Sequence, residues 1–273
     1  MIPNLPGPLL LVGAGNMGGA LLQGWLDRGL VPSHVRVQDP SPPPAMAALL
    51  KQHGIAAEPE VAPGMPAGVI LLAVKPQVMD QVAAGLGRHA GPATVVLSVA
   101  AGRTIASLEK HFPAGTALVR SIPNTPSSVG RGITAACCNA HVTESQRDLA
   151  EALLRAVGEV VWVDRETHID AATAVSGSGP AYVFLLAECL AEAGRAAGLD
   201  PAVAAKLARA TVAGAGELLH RSPLDAAELR RNVTSPKGTT AAALDVLMAP
   251  DALQPLMTKA IAAAKRRAEE LAS

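Results

Sequence analysis

The sequence predicts an α/β protein: a Rossmann-type parallel sheet in the N-terminal part, followed by an all-helical C-terminal domain. Three observations predict this class. Up to about residue 165, short apolar runs alternate with helical patterns. A glycine-rich fingerprint, GAGNMG, directly follows the first of these runs. Patterns typical of strands stop after Glu166, so we expect one domain at residues 1–165 and a helical domain at residues 166–273.

Seven short apolar runs are the strand candidates, because apolar stretches bounded by turn residues are typical of buried parallel strands. These runs cover residues 9–12, 35–38, 69–74, 94–98, 117–120, 133–137 and 160–163. Helical patterns lie between them at residues 16–28, 45–53, 77–88, 105–111 and 144–156. The last of these opens with Thr143-Glu144-Ser145-Gln146, which fits a capping box. The alternation predicts a parallel sheet with helices on both faces.

The second half carries only helical signals. Pro201 follows Asp200 and suits the first turn of a helix, and Val203 and Leu207 continue it at helical spacing. A second apolar stripe covers residues 253–271. These helices are rich in Ala and Gly, which lets helix backbones approach closely. Such a composition favours tight helix packing, within one chain or between two.

Composition excludes several classes of function. The chain has 273 residues with 49% hydrophobic but only 2% aromatic side chains, and its 23 basic residues balance 23 acidic ones. A neutral chain without stacking platforms is not expected to bind nucleic acid. Its apolar runs are shorter than a membrane span requires, and no signal peptide is evident. Three cysteines without CxxC spacing and seven scattered histidines predict no disulfide framework and no metal site. We expect a cytoplasmic protein.

The fingerprint predicts a dinucleotide site. Gly13 permits the tight turn after the strand, Gly15 lets the backbone approach a pyrophosphate, and Gly18 lets the helix pack on the strand. The backbone amides of the loop residue Ala14 and of the first helical residues, Asn16 and Met17, would then hold the pyrophosphate. A structural turn alone is the alternative, because a glycine-rich chain produces this pattern by chance.

Asp39 ends the second predicted strand, where a carboxylate accepts hydrogen bonds from the adenosine ribose. A carboxylate repels the extra phosphate of NADP, and residues 40–44 contain no Arg or Lys. This favours NADH. The alternative is that Asp39 is a turn residue before Pro40.

Three loops after strands, and two segments of the helical half, are candidates for binding. The loops are residues 75–77, 98–102 and 121–126, the last with Asn124 as a cofactor contact, since ligands bind beyond the carboxyl ends of parallel strands. In the helical half, residues 176–180 and 234–240 place helix-breaking residues beside apolar ones. Free amides at a helix start there could hold a substrate carboxylate. Ordinary turns and caps are the alternative for all five.

Six motifs together resemble the Δ1-pyrroline-5-carboxylate reductases. In this chain they are VGAGNMGGAL, LLAVKPQ, LSVAAGRTIASLE, RSIPNTP, DAATAVSGSGPAYVFLLAE and NVTSPKGTTAAALDVL, running from residue 12 to residue 247. The resemblance implies reduction of the ring C=N bond of pyrroline-5-carboxylate to L-proline with NAD(P)H. It also implies a helical dimerisation domain, with homodimers that assemble further, as in a homodecamer.

The resemblance also implies roles for individual residues. Cofactor contacts are implied for Ala73, Val74, Lys75, Pro76, Val99, Ala100, Ala101 and Asn232. Substrate contacts are implied for Glu166, Ser178, Gly179, Gly238, Thr239 and Thr240. The Thr240 hydroxyl would lie near the ring nitrogen, which makes Thr240 the catalytic candidate. Asp39 and Glu60 depart from the residues of many relatives, and two carboxylates at the adenosine end favour NADH over NADPH.

Two rival functions remain. A β-hydroxyacid dehydrogenase-like reductase shares the glycine-rich entry, but such enzymes usually carry a catalytic lysine on a long helix of the second domain. The helical stretches at residues 182–197 and 241–248 contain no lysine. A nucleotide-sensing protein without catalysis would bind cofactor but show no turnover, and the intact SPKGTT segment argues against it.

Overall fold

The chain folds into two compact units. A computed structural model describes residues 4–62 and 64–272. The first unit comprises Met1–Gly177 and Ala264–Ser273, and the second comprises Ser178–Ala263. The domain boundary that we expect at residue 165 remains a prediction.

An eight-stranded sheet forms the centre of the first unit. Its strands are β1 (Leu9–Val12), β2 (Val35–Gln38), β3 (Ala57–Glu58), β4 (Ala67–Leu72), β5 (Ala90–Ser98), β6 (Ala117–Ile122), β7 (Gly132–Cys138) and β8 (Gly158–Trp162). They lie in the order β3-β2-β1-β4-β5-β6-β7-β8. The chain therefore builds outward from β1 in one direction to β3 and then in the other direction to β8. The predicted Rossmann-type sheet is confirmed.

One strand pair departs from the parallel sheet we predict. β6 and β7 are antiparallel, whereas the other pairs in the described sheet are parallel. Only residues 123–131 connect these two strands, and a parallel crossover needs a dozen or more residues. The connection is too short to return the chain to the opposite edge, so the strand direction reverses.

Two further predictions are wrong in detail. The helix expected at residues 77–88 is broken into a 3₁₀ turn at Pro76–Val78, a short helix at Met79–Ala83 and a second 3₁₀ turn at Leu86–His89. Gly85 and Gly87 lie in this stretch, and glycine weakens a helix interior. The short strand Ala57–Glu58 is absent from the predictions, since two residues carry no usable periodicity.

Helices cover both faces of the sheet, as predicted. Those of the first unit are α1 (Asn16–Asp27), α2 (Pro44–Gln52), α3 (Met79–Ala83), α4 (Ile105–Glu109), α5 (Glu144–Leu154) and α6 (Thr167–Ala172). Side chains of α1, α2 and α5 share one hydrophobic core with one face of the sheet. Side chains of α3, α4 and α6 share a second core with the other face. The capping box predicted for α5 is confirmed. The Thr143 side chain accepts a hydrogen bond from the Gln146 amide, and the Gln146 side chain accepts one from the Thr143 amide.

Helices make up the second unit. They are α7 (Gly179–Ala196), α8 (Pro201–Arg221), α9 (Ala226–Asn232), α10 (Thr239–Leu247) and the start of α11 (Leu253–Ala272). The Asp200 side chain caps α8 by accepting hydrogen bonds from the amides of Ala202 and Val203. A π-helical turn, Thr173–Gly177, precedes α7. The end of this turn, residues 176 and 177, overlaps the start of the segment at residues 176–180 that places helix-breaking residues beside apolar ones.

The stretch Thr167–Ala196 is the one described helical segment long and apolar enough to cross a membrane, by length and composition alone. Only 6% of its apolar window is buried within the chain. This exposed apolar surface needs an explanation, and a membrane is one of two candidates. The other is a partner protein.

Candidate active site

The glycine-rich loop joins β1 to α1 with the spacing that a dinucleotide requires. Gly13 has φ +92°, and a Cβ there would lie 2.9 Å from the backbone of Ala73, so only glycine fits. A Cβ on Gly18 would overlap the carbonyl oxygen of Gly13. A Cβ on Gly15, in contrast, would meet no protein atom within 4 Å. The open space lies at the start of α1, where no side chain caps the helix amides. These residues fit a pyrophosphate group.

Asp39 braces this loop. Its Oδ2 accepts a hydrogen bond of 2.7 Å from the Ala14 amide, and its Oδ1 accepts one of 2.9 Å from the Ser41 amide. The second bond closes a turn before residues 42–44, as the alternative interpretation expects. A carboxylate accepts about four hydrogen bonds. Each oxygen therefore retains a lone pair, and Asp39 can accept from a ribose hydroxyl as well.

Glu60, the second carboxylate at this end, has a cationic partner. Arg88 donates to its Oε1 over 2.6 Å and also to the Val61 carbonyl over 3.3 Å. A cavity of about 250 Å³ lies beside this pair, lined by Gln38, Pro59, Glu60, Gln81, Val82, Gly85, Leu86 and Arg88. Arg88 partly offsets the negative charge of Glu60. This partner is not evident from the sequence, because it lies 28 residues away.

The loops after β4 and β5 lie side by side. The Ala73 amide donates to the Val12 carbonyl, and the Val99 amide donates to the Leu72 carbonyl. Residues 73–76 and 99–101 therefore start at the same edge of the sheet as the glycine-rich loop. This edge is where ligands bind in open parallel sheets.

Arg103 ties these two loops together. Its guanidinium donates to the Pro76 carbonyl over 2.6 Å and to both oxygens of Asp80, at 3.0 and 2.8 Å. His111 also contacts Asp80, at 3.1 Å. These partners, Arg103 first, hold the pKa of Asp80 below its ordinary value. The ion pair between Arg103 and Asp80 therefore persists to a lower pH than an unpaired aspartate would allow.

Asn124 uses both polar atoms of its side chain to brace the fold. Its Oδ1 accepts from the Ile133 amide at 3.0 Å, and its Nδ2 donates to the Ser176 carbonyl at 3.1 Å. The amide thus connects the end of β6 to β7 and to the π-helical turn. The cofactor contact expected of Asn124 remains a prediction, and the structure adds a bracing role.

Glu166 belongs to a cluster of charges behind the β5 loop. Its Oε1 accepts from Arg120 at 2.9 Å and from the Ile105 amide at 2.7 Å. Arg120 also donates to Asp170 at 3.0 Å. Burial, with Glu166 as the next cause, raises the pKa of the neighbouring Cys137 thiol to about 12. Cys137 is therefore a neutral core residue rather than a nucleophile.

The remaining predicted site residues lie in the helical unit. Ser178 and Gly179 start α7, and Asn232 is the last residue of α9. Gly238 is the N-cap of α10 and has no side-chain hydrogen bond to the helix amides. Thr239 and Thr240 are the first two residues of that helix, which starts two residues before the predicted position.

Lys237, directly before the N-cap of α10, has a left-handed backbone conformation. It is the one non-glycine residue with positive φ, +60°, in the part of the chain that the structure describes. A left-handed lysine costs about 1 kcal/mol or more. Strain of this kind clusters at functional sites, which supports a role for the segment at residues 234–240.

Within residues 4–62 and 64–272, no group of three or more His, Cys, Asp or Glu side chains is arranged to hold a metal ion.

Comparison with known proteins identifies the chain. A family model for pyrroline-5-carboxylate reductase dimerisation matches residues 166–271, and a model for coenzyme F420-dependent NADP oxidoreductase matches residues 9–102. The pyrroline-5-carboxylate reductase of Pseudomonas aeruginosa is 38% identical, over 97% of this chain and 96% of that protein. This chain belongs to the pyrroline-5-carboxylate reductase family. It is an oxidoreductase, and the resemblance stated from its motifs is confirmed.

Other pyrroline-5-carboxylate reductases are also similar to this chain. The pyrroline-5-carboxylate reductase of Synechocystis is 45% identical over 74% of each chain. A structure of the Coxiella burnetii pyrroline-5-carboxylate reductase superposes with a TM-score of 0.90 at 36% identity, covering 98% of this chain and 99% of that one. The Plasmodium falciparum pyrroline carboxylate reductase with NADP bound superposes with a TM-score of 0.77 at 26% identity, covering 99% and 100%.

The apolar stretch Thr167–Ala196 lies within the residues that the dimerisation model matches, 166–271. Of the two candidates for covering its exposed surface, this match favours a partner protein over a membrane. The sequence does not show which residues Arg88, Arg103 and Arg120 contact. Arg103 and Arg120 lie in the motifs LSVAAGRTIASLE and RSIPNTP, but the acidic partners of the three arginines are between 23 and 50 residues away along the chain. Only the tertiary fold brings these pairs together.

Proposed function

We infer that this reductase converts 1-pyrroline-5-carboxylate to L-proline by reducing the ring C=N bond with NAD(P)H, the last step of proline biosynthesis. The observation that carries this conclusion is family membership across both halves of the chain. The nicotinamide cofactor supplies the hydride when bound. Everything else falls to the protein: binding, alignment and placement of charge.

The cofactor site that we propose lies along one edge of the sheet. The amides from Gly15 to Met17 would hold the pyrophosphate, and the open space at Gly15 supports this placement. The Ala14 amide already donates to Asp39, so Ala14 would line the cofactor without donating to it. Residues 73–76 and 99–101 would flank the remainder of the cofactor. We keep Asn124 and Asn232 as proposed cofactor contacts.

The substrate contacts that we propose include the start of α10. An uncapped helix N-terminus offers free amides, so those of Thr239 and Thr240 can hold the substrate carboxylate. The Gly238 amide donates to the Ser235 carbonyl, so Gly238 would contact the substrate as the N-cap that leaves this helix start open. The Thr240 hydroxyl can donate to, or orient, the ring nitrogen. Protonation of that nitrogen makes the adjacent carbon a better hydride acceptor. Ser178 and Gly179 would shape the pocket, and Glu166 would contact the substrate.

Replacing Thr240 tests this assignment. We expect Thr240→Ala to lower kcat/KM for pyrroline-5-carboxylate roughly 100-fold, the loss typical when one positioned polar group leaves an active site. Thr240→Ser keeps the hydroxyl and should retain most activity. Steady-state kinetics with thermal denaturation as the folding control measures both. Unchanged kinetics in Thr240→Ala would remove the proposed role.

We propose a preference for NADH over NADPH. Asp39 and Glu60 place two carboxylates at the adenosine end, where a 2′-phosphate would meet negative charge. The Arg88 partner of Glu60 weakens this repulsion, so the preference rests chiefly on Asp39. The ratio of kcat/KM for the two cofactors tests it, and a strong preference for NADPH would refute it.

We also propose a cytoplasmic homodimer, with a homodecamer as the larger assembly to test for. Large apolar side chains of the helical unit are exposed in the single chain, among them Val183, Phe184, Leu185, Val203 and Leu207. In this unit, Ala204 and Ala208 are the buried apolar residues that the structure describes. So small a core does not support an independent fold, whereas a second copy would cover the exposed face.

A further inference from the structure

Arg120 is almost wholly buried, with 3% of its side chain exposed. It lies on β6 beside Ser98, the last residue of β5, after which the proposed cofactor loop begins. Burying a guanidinium costs free energy, and an apolar replacement often stabilises a protein more. A charge placed here therefore needs a reason other than stability.

The hydrogen bonds of Arg120 select one oxygen of Glu166. Oε1 accepts both from Arg120 and from the amide of Ile105, the first residue of α4. No described residue donates to Oε2, and 31% of the Glu166 side chain is exposed. One oxygen is thus fixed from two directions while the other remains available.

The charges of the cluster do not cancel. One guanidinium faces two carboxylates, those of Glu166 and Asp170, and the adjacent Cys137 thiol is neutral. With both carboxylates ionised, the cluster carries a net charge of −1. A cationic group meeting Glu166 would be favoured electrostatically, and the protonated ring nitrogen of the substrate is such a group.

We propose that Arg120 is a positioning residue, which holds Oε1 of Glu166 so that Oε2 and the surplus negative charge serve the cationic form of the substrate. This inference rests on the proposed contact between Glu166 and substrate. Arg120 acts through Glu166 and touches neither substrate nor cofactor. Lysine cannot replace it, because only the guanidinium fork reaches two carboxylates in fixed directions.

The test uses three variants: Arg120→Lys, Glu166→Gln and the double variant that combines these two substitutions. Leu154→Ala is the control. Leu154 is wholly buried on the opposite face of the sheet, so its truncation lowers Tm without touching the cluster. We measure kcat and KM for pyrroline-5-carboxylate, cofactor Kd by fluorescence titration, and Tm. Both cluster variants should lower kcat/KM about tenfold or more, the loss of one charge-assisted hydrogen bond. Their cofactor Kd should be unchanged.

Coupling separates positioning from simple destabilisation. If Arg120 acts through Glu166, the double variant is no worse than Glu166→Gln, and Leu154→Ala keeps its kcat/KM within about twofold. If the losses in kcat/KM of the two single variants multiply in the double variant, the two residues act independently and the proposal is overturned. It is also overturned if Arg120→Lys loses no more kcat/KM than Leu154→Ala loses for the same decrease in Tm.

Glu166→Asp keeps the test decisive even if Arg120→Lys does not fold. The aspartate retains the charge but is one methylene shorter. It therefore cannot accept from Arg120 and also place its second oxygen where Oε2 of Glu166 lies. It should lose activity as Glu166→Gln does, and full activity would overturn the proposal. Full activity of Glu166→Gln beside an impaired Thr240→Ala would also overturn it, while leaving the proposed reaction and the α10 contacts intact.

Discussion

At the residue scale, the three glycines of the GAGNMG fingerprint have different roles: two are required by the fold and one leaves room for a ligand. Gly13 and Gly18 face protein backbone, whereas Gly15 faces open space. The sequence predicts the role of each from its position in the fingerprint, since a tight turn and close packing depend on local backbone geometry. Asp39 was likewise found from the sequence, but its bond to the Ala14 amide required the fold.

This difference predicts opposite outcomes for two alanine variants. Gly15→Ala should keep the Tm of the parent protein, because its methyl group meets no protein atom, and should raise cofactor Kd roughly tenfold, or about 1.4 kcal/mol. Gly18→Ala should lose about 1–3 kcal/mol of stability, because its methyl group overlaps the Gly13 carbonyl. Thermal denaturation and fluorescence titration measure both. Normal cofactor affinity in a folded Gly15→Ala would argue against the pyrophosphate placement.

The charged residues show the limit of sequence reasoning. Arg120 lies in a strand, and its partners are 46 and 50 residues further along the chain. No periodicity or motif links residues so far apart, since only the packing of α6 on the sheet brings them together. The roles of Glu166 and Thr240 came from resemblance to a family and not from local patterns.

At the element scale, the bounds of two strands follow directly from the sequence. β1 and β2 match the predicted bounds, because a turn residue follows each of them: Gly13 after β1 and Asp39 after β2. The predicted direction of β7 is wrong, because the predicted strands leave a dozen residues between them, 121–132, which is long enough for a parallel crossover. The observed strands are longer and leave only residues 123–131. The helix predicted after β4 is broken because Pro76, Gly85 and Gly87 interrupt it.

The Arg103 clamp predicts how the two cofactor loops depend on each other. Arg103→Ala removes its bonds to Pro76 and Asp80, so the loops after β4 and β5 should loosen. We expect KM for the cofactor to rise about threefold to tenfold, the size expected for such a hydrogen-bonded clamp, with KM for pyrroline-5-carboxylate changed less. Arg155→Ala, which breaks an exposed pair with Glu151 on the opposite face, is the matched control. Equal effects in both variants would exclude a clamp.

At the scale of the whole molecule, the two units differ in how they bury their apolar residues. The sheet unit encloses two cores of its own, whereas the helical unit leaves long apolar side chains exposed. The sequence predicted helices packed within one chain or between two. The second possibility fits the observed exposure and the family's dimerisation match.

Self-association therefore predicts a specific loss on substitution. Phe184 is 63% exposed in the single chain, and Phe184→Asp should shift the protein towards monomer and lower its Tm, because a buried unpaired carboxylate opposes assembly. Sedimentation equilibrium at several concentrations measures this shift. Met65→Asp, at a still more exposed apolar residue of the sheet unit (72%), should change neither property. A Phe184→Asp protein that assembles like its parent would contradict the proposed interface.

The most direct test of the central claim is the oxidation of NADH and of NADPH, followed by absorbance, with pyrroline-5-carboxylate as substrate. We predict rapid, substrate-dependent loss of the reduced cofactor with proline as the product, and a higher kcat/KM with NADH. Measurable cofactor binding without turnover of either cofactor would contradict the account, and would leave the dehydrogenase-like and sensor functions as the alternatives.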